Sequence, residues 1–452
     1  MTEDHARPVG LPVAPVERWL APAQRFLHVE SSSGVVLLAC TVLALVAANT
    51  PIAGWFAALW KTPVELTFGG FRLAGDLGHL VVNDALMAIF FFVVGLEIKR
   101  ELVVGELREP RKALFPVVAA FGGMVVPAAV YLAFQWGEPG QRGWAIPMAT
   151  DIAFVVGFLA LLGPRVPVSL KILLLALAIV DDLGAVLVIA IVFTEKLTWG
   201  WLGIAAAGFV LIRALNRAGV RRIGIYVVVG AFIWLATLQS GVHPTVAGVF
   251  LGLLTPAYAW VGDKALSAVV GDLGNRLRGE PADRAERTID LQRLEFTARE
   301  ALSPLSRLEL ALHPWVAFGV MPLFALANAG VTFDVGGVRE PVAVAVAAGL
   351  ALGKPVGILL FCWLAVKAGA ARLPDGVGWG LLTGGACLAG IGFTMALFFN
   401  GLAFQAPEFA AKAAAGKVGI LGGSLLSAIL GAAIVAGCLR TESRHPAPAA
   451  TP

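Results

Sequence analysis

Ala178-Ile179-Val180-Asp181-Asp182-Leu183-Gly184-Ala185 sets two adjacent carboxylates in the middle of an apolar run covering about residues 168–194. A run of that length is what a helix needs to cross the roughly 30 Å hydrocarbon core of a bilayer. A charge at the centre of such a helix costs about 2.5–3.5 kcal/mol on insertion scales. Whether the whole chain lives in lipid, and what these charges are for, decides the fold.

Composition speaks to the first point. The chain has 452 residues, 58% hydrophobic and only 14% charged, with a mean hydropathy of +0.82; soluble domains carry about 25% charge. Its 52 glycines suit close helix approach and interrupted helices in lipid. Working outward from Asp181–Asp182, further apolar runs fall at 34–49, 79–104, 113–135, 144–163, 198–215, 223–240, 243–261, 310–331, 341–366, 378–404 and 416–439. The pattern predicts an all-α polytopic membrane protein of twelve spans. A polar tail (1–33) precedes the helical domain (34–440), and an Ala/Pro-rich tail (441–452) follows it and reads as disordered.

Basic residues orient it. With the first tail inside, the even-numbered connections hold Arg108, Arg111 and Lys112; Arg165; Arg213, Arg217, Arg221 and Arg222; eight basic residues from Lys264 to Arg307; and Lys367 with Arg372. The odd connections hold at most two each. Positive charge stays cytoplasmic, so both termini are expected inside. Residues 263–307 read as a charged, helix-containing cytoplasmic loop, most simply a solvated linker. Residues 64–73 alternate around Gly69-Gly70, the pattern of a β-hairpin lying outside the membrane. An isolated hairpin is marginal in water, which suggests pairing across a dimer. The four cysteines, Cys40, Cys362, Cys387 and Cys438, lack metal-ligand or disulfide spacing and read as small hydrophobes.

Asp181 and Asp182 are not alone at depth. Lys354 lies mid-run in 341–366, Asp151 sits inside 144–163, and Asp84 lies nearer the outer end of 79–104. Four mid-depth charges cost on the order of 10–14 kcal/mol, as much as a whole domain's stability, so they must face one another or water. A single Asp–Lys pair could be glue between helices. Two adjacent carboxylates are harder to explain that way, because neighbours on a helix diverge by about 100°: one can face a lysine while the other faces a cavity. Close carboxylates resist double ionisation. Such a pair holds a proton or offers hard oxygens to a cation, and that competition is the least machinery an exchanger needs. Two runs are also interrupted, at Pro147-Met148-Ala149-Thr150-Asp151 and at Gly390-Ile391-Gly392-Phe393-Thr394. Irregular backbone at membrane depth is tolerated only beside a cavity, and paired broken helices point to a transporter's ion site.

At these residues the chain closely resembles the NhaA-type sodium/proton antiporters, which are inverted-repeat transporters. The resemblance is carried by Asn83-Asp84-Ala85-Leu86-Met87, Gly95-Leu96-Glu97-Ile98-Lys99-Arg100-Glu101-Leu102, Ala149-Thr150-Asp151-Ile152-Ala153-Phe154, the Asp181–Asp182 stretch, Ser240-Gly241-Val242-His243, Leu312-His313-Pro314-Trp315, Gly353-Lys354-Pro355 and Gly390-Ile391-Gly392-Phe393-Thr394-Met395. It spans roughly residues 20–440.

The resemblance implies twelve spans, with inverted repeats in spans three to five and ten to twelve and two broken helices crossing at mid-membrane. It implies Na+ binding by Asp181 and Asp182 with help from Thr150 and Asp151, and a Lys354 paired with Asp181 when sodium is absent. A pH-sensing and gating set falls on Glu97, Arg100, Glu101 and Glu309, with Asp84, His243 and His313 as further candidates. Packing beside Pro244 is the simpler reading of His243, and a helix-end role competes at His313. Charges like those of Glu97–Glu101 also commonly just anchor a helix end. The implied partners are Na+, Li+, H+, membrane lipid and a second copy, with no cofactor and no nucleic acid. One departure stands out: Leu310 follows Glu309 where relatives often have histidine, so carboxylates must supply more of any response near neutral pH.

The expected activity is therefore electrogenic, pH-activated exchange of cytoplasmic Na+ or Li+ for incoming protons across the bacterial inner membrane, and not an enzymatic reaction. An intramembrane aspartyl protease would need its two aspartates on facing helices in a Gly-x-Gly-Asp context, which is absent here. A channel would need a ring or filter of repeated polar groups. A retinal-type pump would use a lysine Schiff base, and Lys354 precedes a proline in a twelve-span pattern.

Overall fold

The computed structural model describes residues 30–444 apart from 69–70, 164, 195, 221, 279–283 and 333–338. The chain opens with α1 (Glu30–Ala48), turns through 118°, and continues as α2 (Ala53–Trp60). Strands β1 (Pro63–Phe68) and β2 (Phe71–Asp76) then pair antiparallel, Phe68 opposite Phe71 and Pro63 opposite Asp76. The hairpin expected over 64–73 is present with slightly longer strands, and its Gly69–Gly70 turn lies outside the described residues. Exposed Glu65 and Arg72 pair across it at 2.6 Å.

Long helices follow. Helix α3 (Leu77–Val103) begins with π-helical winding over Leu77–Leu86, and α4 spans Pro110–Gln135. The fourth expected span is two pieces bent by 44°: α5 (Pro139–Met148, wound as a 3-10 helix) and α6 (Ile152–Leu161). After these come α7 (Val168–Val192), α8 (Trp199–Arg217), α9 (Ile223–Ser240) and α10 (Thr245–Leu254). The loop read as helical holds α11 (Asp263–Arg278) and α12 (Arg284–Glu300), linked by Arg276 to Asp290 at 3.6 Å. Helix α13 (Pro304–Asn328) and α14 (Pro341–Lys367) each contain a π turn, at Val316–Val320 and Gly349–Gly353. A second pair bent by 44° is formed by α15 (Trp379–Ala389) and α16 (Phe393–Ala403), and α17 (Ala410–Arg444) closes the bundle.

Eight of these helices are long and apolar enough to cross a membrane, and eleven spans result if each bent pair counts as one. The expected span over 243–261 is the one that falls short. Helix α10 ends at Leu254 because Thr255 precedes Pro256 and turns extended, with ψ 132°. A residue before proline is pushed out of the helical region by the ring. Ten residues rise only about 15 Å, half the hydrocarbon layer. Helix α10 packs tightly along α3 instead: a Cβ on Gly95 would lie 2.5 Å from the Val249 carbonyl. The tails also differ slightly from expectation, since α1 starts at Glu30 and α17 runs to Arg444. Residues 1–29 and 445–452 of the expected tails lie outside the described residues.

The same order, long helix, broken pair, long helix, appears in α4–α7 and again in α14–α17. One continuous core joins these elements with α3, through buried residues such as Phe91, Ala119, Leu170, Val346 and Phe399. A smaller cluster of Ile212, Ile233 and Ala247 ties α8, α9 and α10 together.

Candidate functional site

The two breaks meet. Between α5 and α6, Ala149 and Asp151 are extended; between α15 and α16, Gly390-Ile391-Gly392 unwinds. A Cβ on Gly392 would lie 2.6 Å from the Ala149 carbonyl, so this crossing needs glycine. The Asp151 N–H donates to the Ile391 carbonyl at 2.7 Å. The Asp151 carboxylate accepts the Phe154 N–H at 3.4 Å and thereby caps α6. Across the crossing it accepts the Thr394 N–H at 3.0 Å and the Thr394 hydroxyl. Two helix N-termini, each a centre of partial positive charge, thus converge on one buried carboxylate.

The opposite charge sits on the other side. Lys354, 0% exposed, donates to Asp181 Oδ2 at 2.5 Å and to the Met148 carbonyl at the end of α5. A helix C-terminus is a centre of partial negative charge, so the ammonium has two stabilising partners. Breaking such a buried pair by removing one member typically costs about 3–5 kcal/mol. The Thr150 hydroxyl reaches Asp181 Oδ2 at 2.6 Å and the Ala389 carbonyl at 3.0 Å. Its single proton favours the carboxylate, because a charged acceptor makes the stronger bond.

What remains unsatisfied is the informative part. Asp181 Oδ1 is buried without a hydrogen-bond partner. Asp182, 4% exposed, has Asp181, Glu97, Lys354 and Asp151 as charged neighbours, and no hydrogen bond to it is formed among the described residues. Buried acceptors are almost always paired. Here an unpartnered oxygen of Asp181 stands beside the adjacent Asp182 carboxylate at the crossing, and carboxylate oxygens are the ligands a hard cation takes. Asp181, Asp182, Thr150, Asp151 and Lys354 are therefore brought together.

The remaining candidates separate into two groups at opposite ends of α3. At one end, Arg100 forms an ion pair with Glu309 and lies 3.8 Å from Glu101. Glu101 in turn accepts the Glu106 N–H at 3.1 Å. A cavity of about 300 Å³ opens there, lined by Glu101, Glu106, Glu109, Lys112 and Leu175 among others. Leu175 is six residues from Asp181, about 9 Å along α7. His313 is exposed on α13, one turn beyond Glu309.

At the hairpin end, His243 Nε2 lies 3.7 Å from Asp84 Oδ1, both buried. They form part of the floor of a cavity of about 960 Å³ that also touches His79, Arg142 and Phe193. Asp84 and His243 are thus partners, and they lie apart from the Glu97–Arg100 set with which sequence grouped them. Phe398 packs against His243, Phe91 and Phe324, and Phe399 against Phe193. These rings stand between the hairpin-side cavity and Thr394. Sequence reading quoted Thr394 only within its motif and missed its bond to Asp151; the adjoining glycine-flanked break was the available signal.

Comparison with known proteins agrees with this geometry. The model of the family described as Na+/H+ antiporter 1 matches residues 24–435. The chain is 49% identical to a Na(+)/H(+) antiporter NhaA of Rhodopirellula baltica over 436 residues, 96% of this chain and 98% of the relative. It is 48% identical to a Na(+)/H(+) antiporter NhaA 1 of Acidiphilium cryptum, covering 95% and 96% of the two chains. A Na(+)/H(+) antiporter NhaA of Rhizobium meliloti is 47% identical, with 93% and 95% covered.

Proposed function

The chain belongs to the Na+/H+ antiporter 1 family, and on that premise we propose that it is an electrogenic, pH-activated antiporter. It exports cytoplasmic Na+ or Li+ in exchange for incoming H+ across the bacterial inner membrane. The observation that carries this reading is the carboxylate pair beside the crossing: Asp181 Oδ1 is buried without a partner next to buried Asp182, while Lys354 holds Asp181 Oδ2.

In this reading sodium enters from the cavity lined by Glu101 and Leu175. It is taken up by deprotonated Asp181 and Asp182 and displaces Lys354 from Asp181. The loaded site then turns toward the hairpin side, where protons displace the ion. More protons than sodium ions move per cycle, so the membrane potential helps drive export. Proton and cation compete for the same oxygens; low pH therefore empties the site of sodium and high pH opens it. Glu101 lines the entry, and with Arg100, Glu309 and Glu97 it senses the pH on that side, while Asp84 with His243 stands at the exit.

With short α10 and the extended residues after it counted as one crossing, the alternation of basic connections supports cytoplasmic termini and an inverted placement of α14–α17 relative to α4–α7. A homodimer formed through the β1–β2 hairpin completes the proposal. Deleting residues 64–73 is expected to give monomers in detergent, and an unchanged dimer would refute that contact.

The central test is sodium-driven proton movement in everted vesicles across pH, with Li+ and K+ alongside. Asp182→Asn is expected to lower sodium-coupled flux by at least about a hundredfold, the scale on which losing one site group misplaces a bound ion. Coupled flux that survives in the variant removes the carboxylate pair from the mechanism.

A further inference from the structure

The Thr394 side chain is fully buried, and it gives both of its donors to one acceptor. Its backbone N–H and its hydroxyl both reach Asp151 Oδ2, while the Asp151 N–H returns a bond to the Ile391 carbonyl. Three hydrogen bonds with one end on Asp151 therefore join the two breaks, beside the Thr150 hydroxyl's contact with the Ala389 carbonyl at the end of α15.

The residue before Asp151 is Thr150, whose hydroxyl contacts Asp181 Oδ2 at 2.6 Å. The backbone from Thr150 to Asp151 is extended, and its helical support begins only at the Asp151 carbonyl, which accepts the Val155 N–H at 3.1 Å. Its position is set jointly by what Asp151 is bonded to and by the contacts of the Thr150 hydroxyl with Asp181 and the Ala389 carbonyl. Thr394 touches neither Asp181 nor Asp182 by any hydrogen bond among the described residues. Its influence runs through Asp151 and Thr150 to the ion-binding carboxylate.

We propose that Thr394 is a positioning residue for the exchange: it fixes Asp151 as the stationary counter-charge of the crossing and thereby holds Thr150 against Asp181. This rests on the antiport reading above. The hydroxyl is the part that matters, because the backbone N–H would be offered by any residue at this position. Thr394 is the second residue of α16, where N–H groups have no helical acceptor, so the carboxylate also serves as that helix's missing partner. Small errors of position at a binding site, of about 1 Å, can cost up to a hundredfold. Losing one of three cross-links is expected to cost less.

Thr394→Val and Thr394→Ser separate this role from simple packing. Valine keeps the shape and loses the hydroxyl; serine keeps the hydroxyl and loses a methyl. In everted vesicles, normalised to protein present, Thr394→Val is expected to raise the apparent KM for sodium about tenfold with a smaller fall in maximal rate. Thr394→Ser is expected to stay within about twofold of wild type. Thr394→Ala, smaller and also without the hydroxyl, should match valine and serves if valine does not accumulate. A packing role gives the reverse order, with valine tolerated and serine impaired, and that order overturns the proposal. Equal loss in valine and serine overturns it too. Asp182→Asn in the same vesicles reports on the antiport reading alone. Exchange lost there, with Thr394→Val at wild-type KM, sinks the Thr394 assignment and leaves the antiport reading standing.

Discussion

The two ends of α3 are built on different principles. Around Arg100 the polar groups are charged, partly exposed and near the site: Glu101 and Glu309 flank the guanidinium, and the cavity there reaches Ala176, five residues or about 7.5 Å along α7 from Asp181. Around Asp84 the polar pair it makes with His243 is buried, and Phe398 and Phe399 pack behind the larger cavity against its lining residues His243 and Phe193. Phe193, on the wall of that cavity, is eleven residues beyond Asp182, about 16 Å of helix. A charged cavity on one side and packed aromatic rings on the other support, in the antiport reading, a site that faces the Arg100 end. In that reading alternating access has a specific content: the aromatic side opens as the charged side closes.

The largest expected effect comes from breaking the plug. Phe398→Ala removes a ring that touches three aromatic neighbours and should destabilise the protein by about 3–5 kcal/mol. Thermal unfolding in detergent reads this out, and an unshifted transition would show that the ring is not packed as described. Next comes accessibility. Cysteine placed at Leu175 should react with an impermeant thiol reagent from the Arg100 side at least about ten times faster than from the other, a difference equivalent to ~1.4 kcal/mol. Cysteine at Phe193 should show the opposite preference. Equal labelling from both sides at either position removes the asymmetry.

The smallest effect belongs to Arg100, whose side chain is 39% exposed. Exposed ion pairs contribute only about 0–1 kcal/mol, so Arg100→Ala should leave folding nearly untouched. It takes a cation from among carboxylates, which makes their protonation easier. Exchange should therefore need a higher pH, its midpoint rising by up to about one unit, or ~1.4 kcal/mol. A midpoint that stays put, or moves to lower pH, separates Arg100 from pH control.

Much of this contrast was legible in the sequence, though not its arrangement. Hydrophobic runs and basic connections found the helices because both signals are one-dimensional: length against bilayer thickness, charge against side. The breaks at Thr150–Asp151 and Gly390–Gly392 were visible for the same reason, as proline and glycine interrupt a run wherever it leads. The end of α10 was harder to see. Apolar residues continue past Pro256 through Ala257, Ala259 and Trp260, so composition carries on where backbone geometry stops. The partnership of Asp84 with His243 was hidden for another reason, since it joins residues 159 positions apart. Nothing in either local stretch specifies the other. Lys354 with Asp181 came only through resemblance; depth alone showed that each needed some partner.

Lys354 has a second bond, to the Met148 carbonyl, and this bears on how fast the centre can work. An ammonium held by its carboxylate alone would have to be expelled whole into a medium that solvates it poorly. Held also by a carbonyl at a helix end, it can surrender one ligand to an arriving ion and keep the other. On the proposed exchange, the activation barrier is then that of swapping a single contact within a fixed cradle, and the lysine need not travel to let turnover proceed.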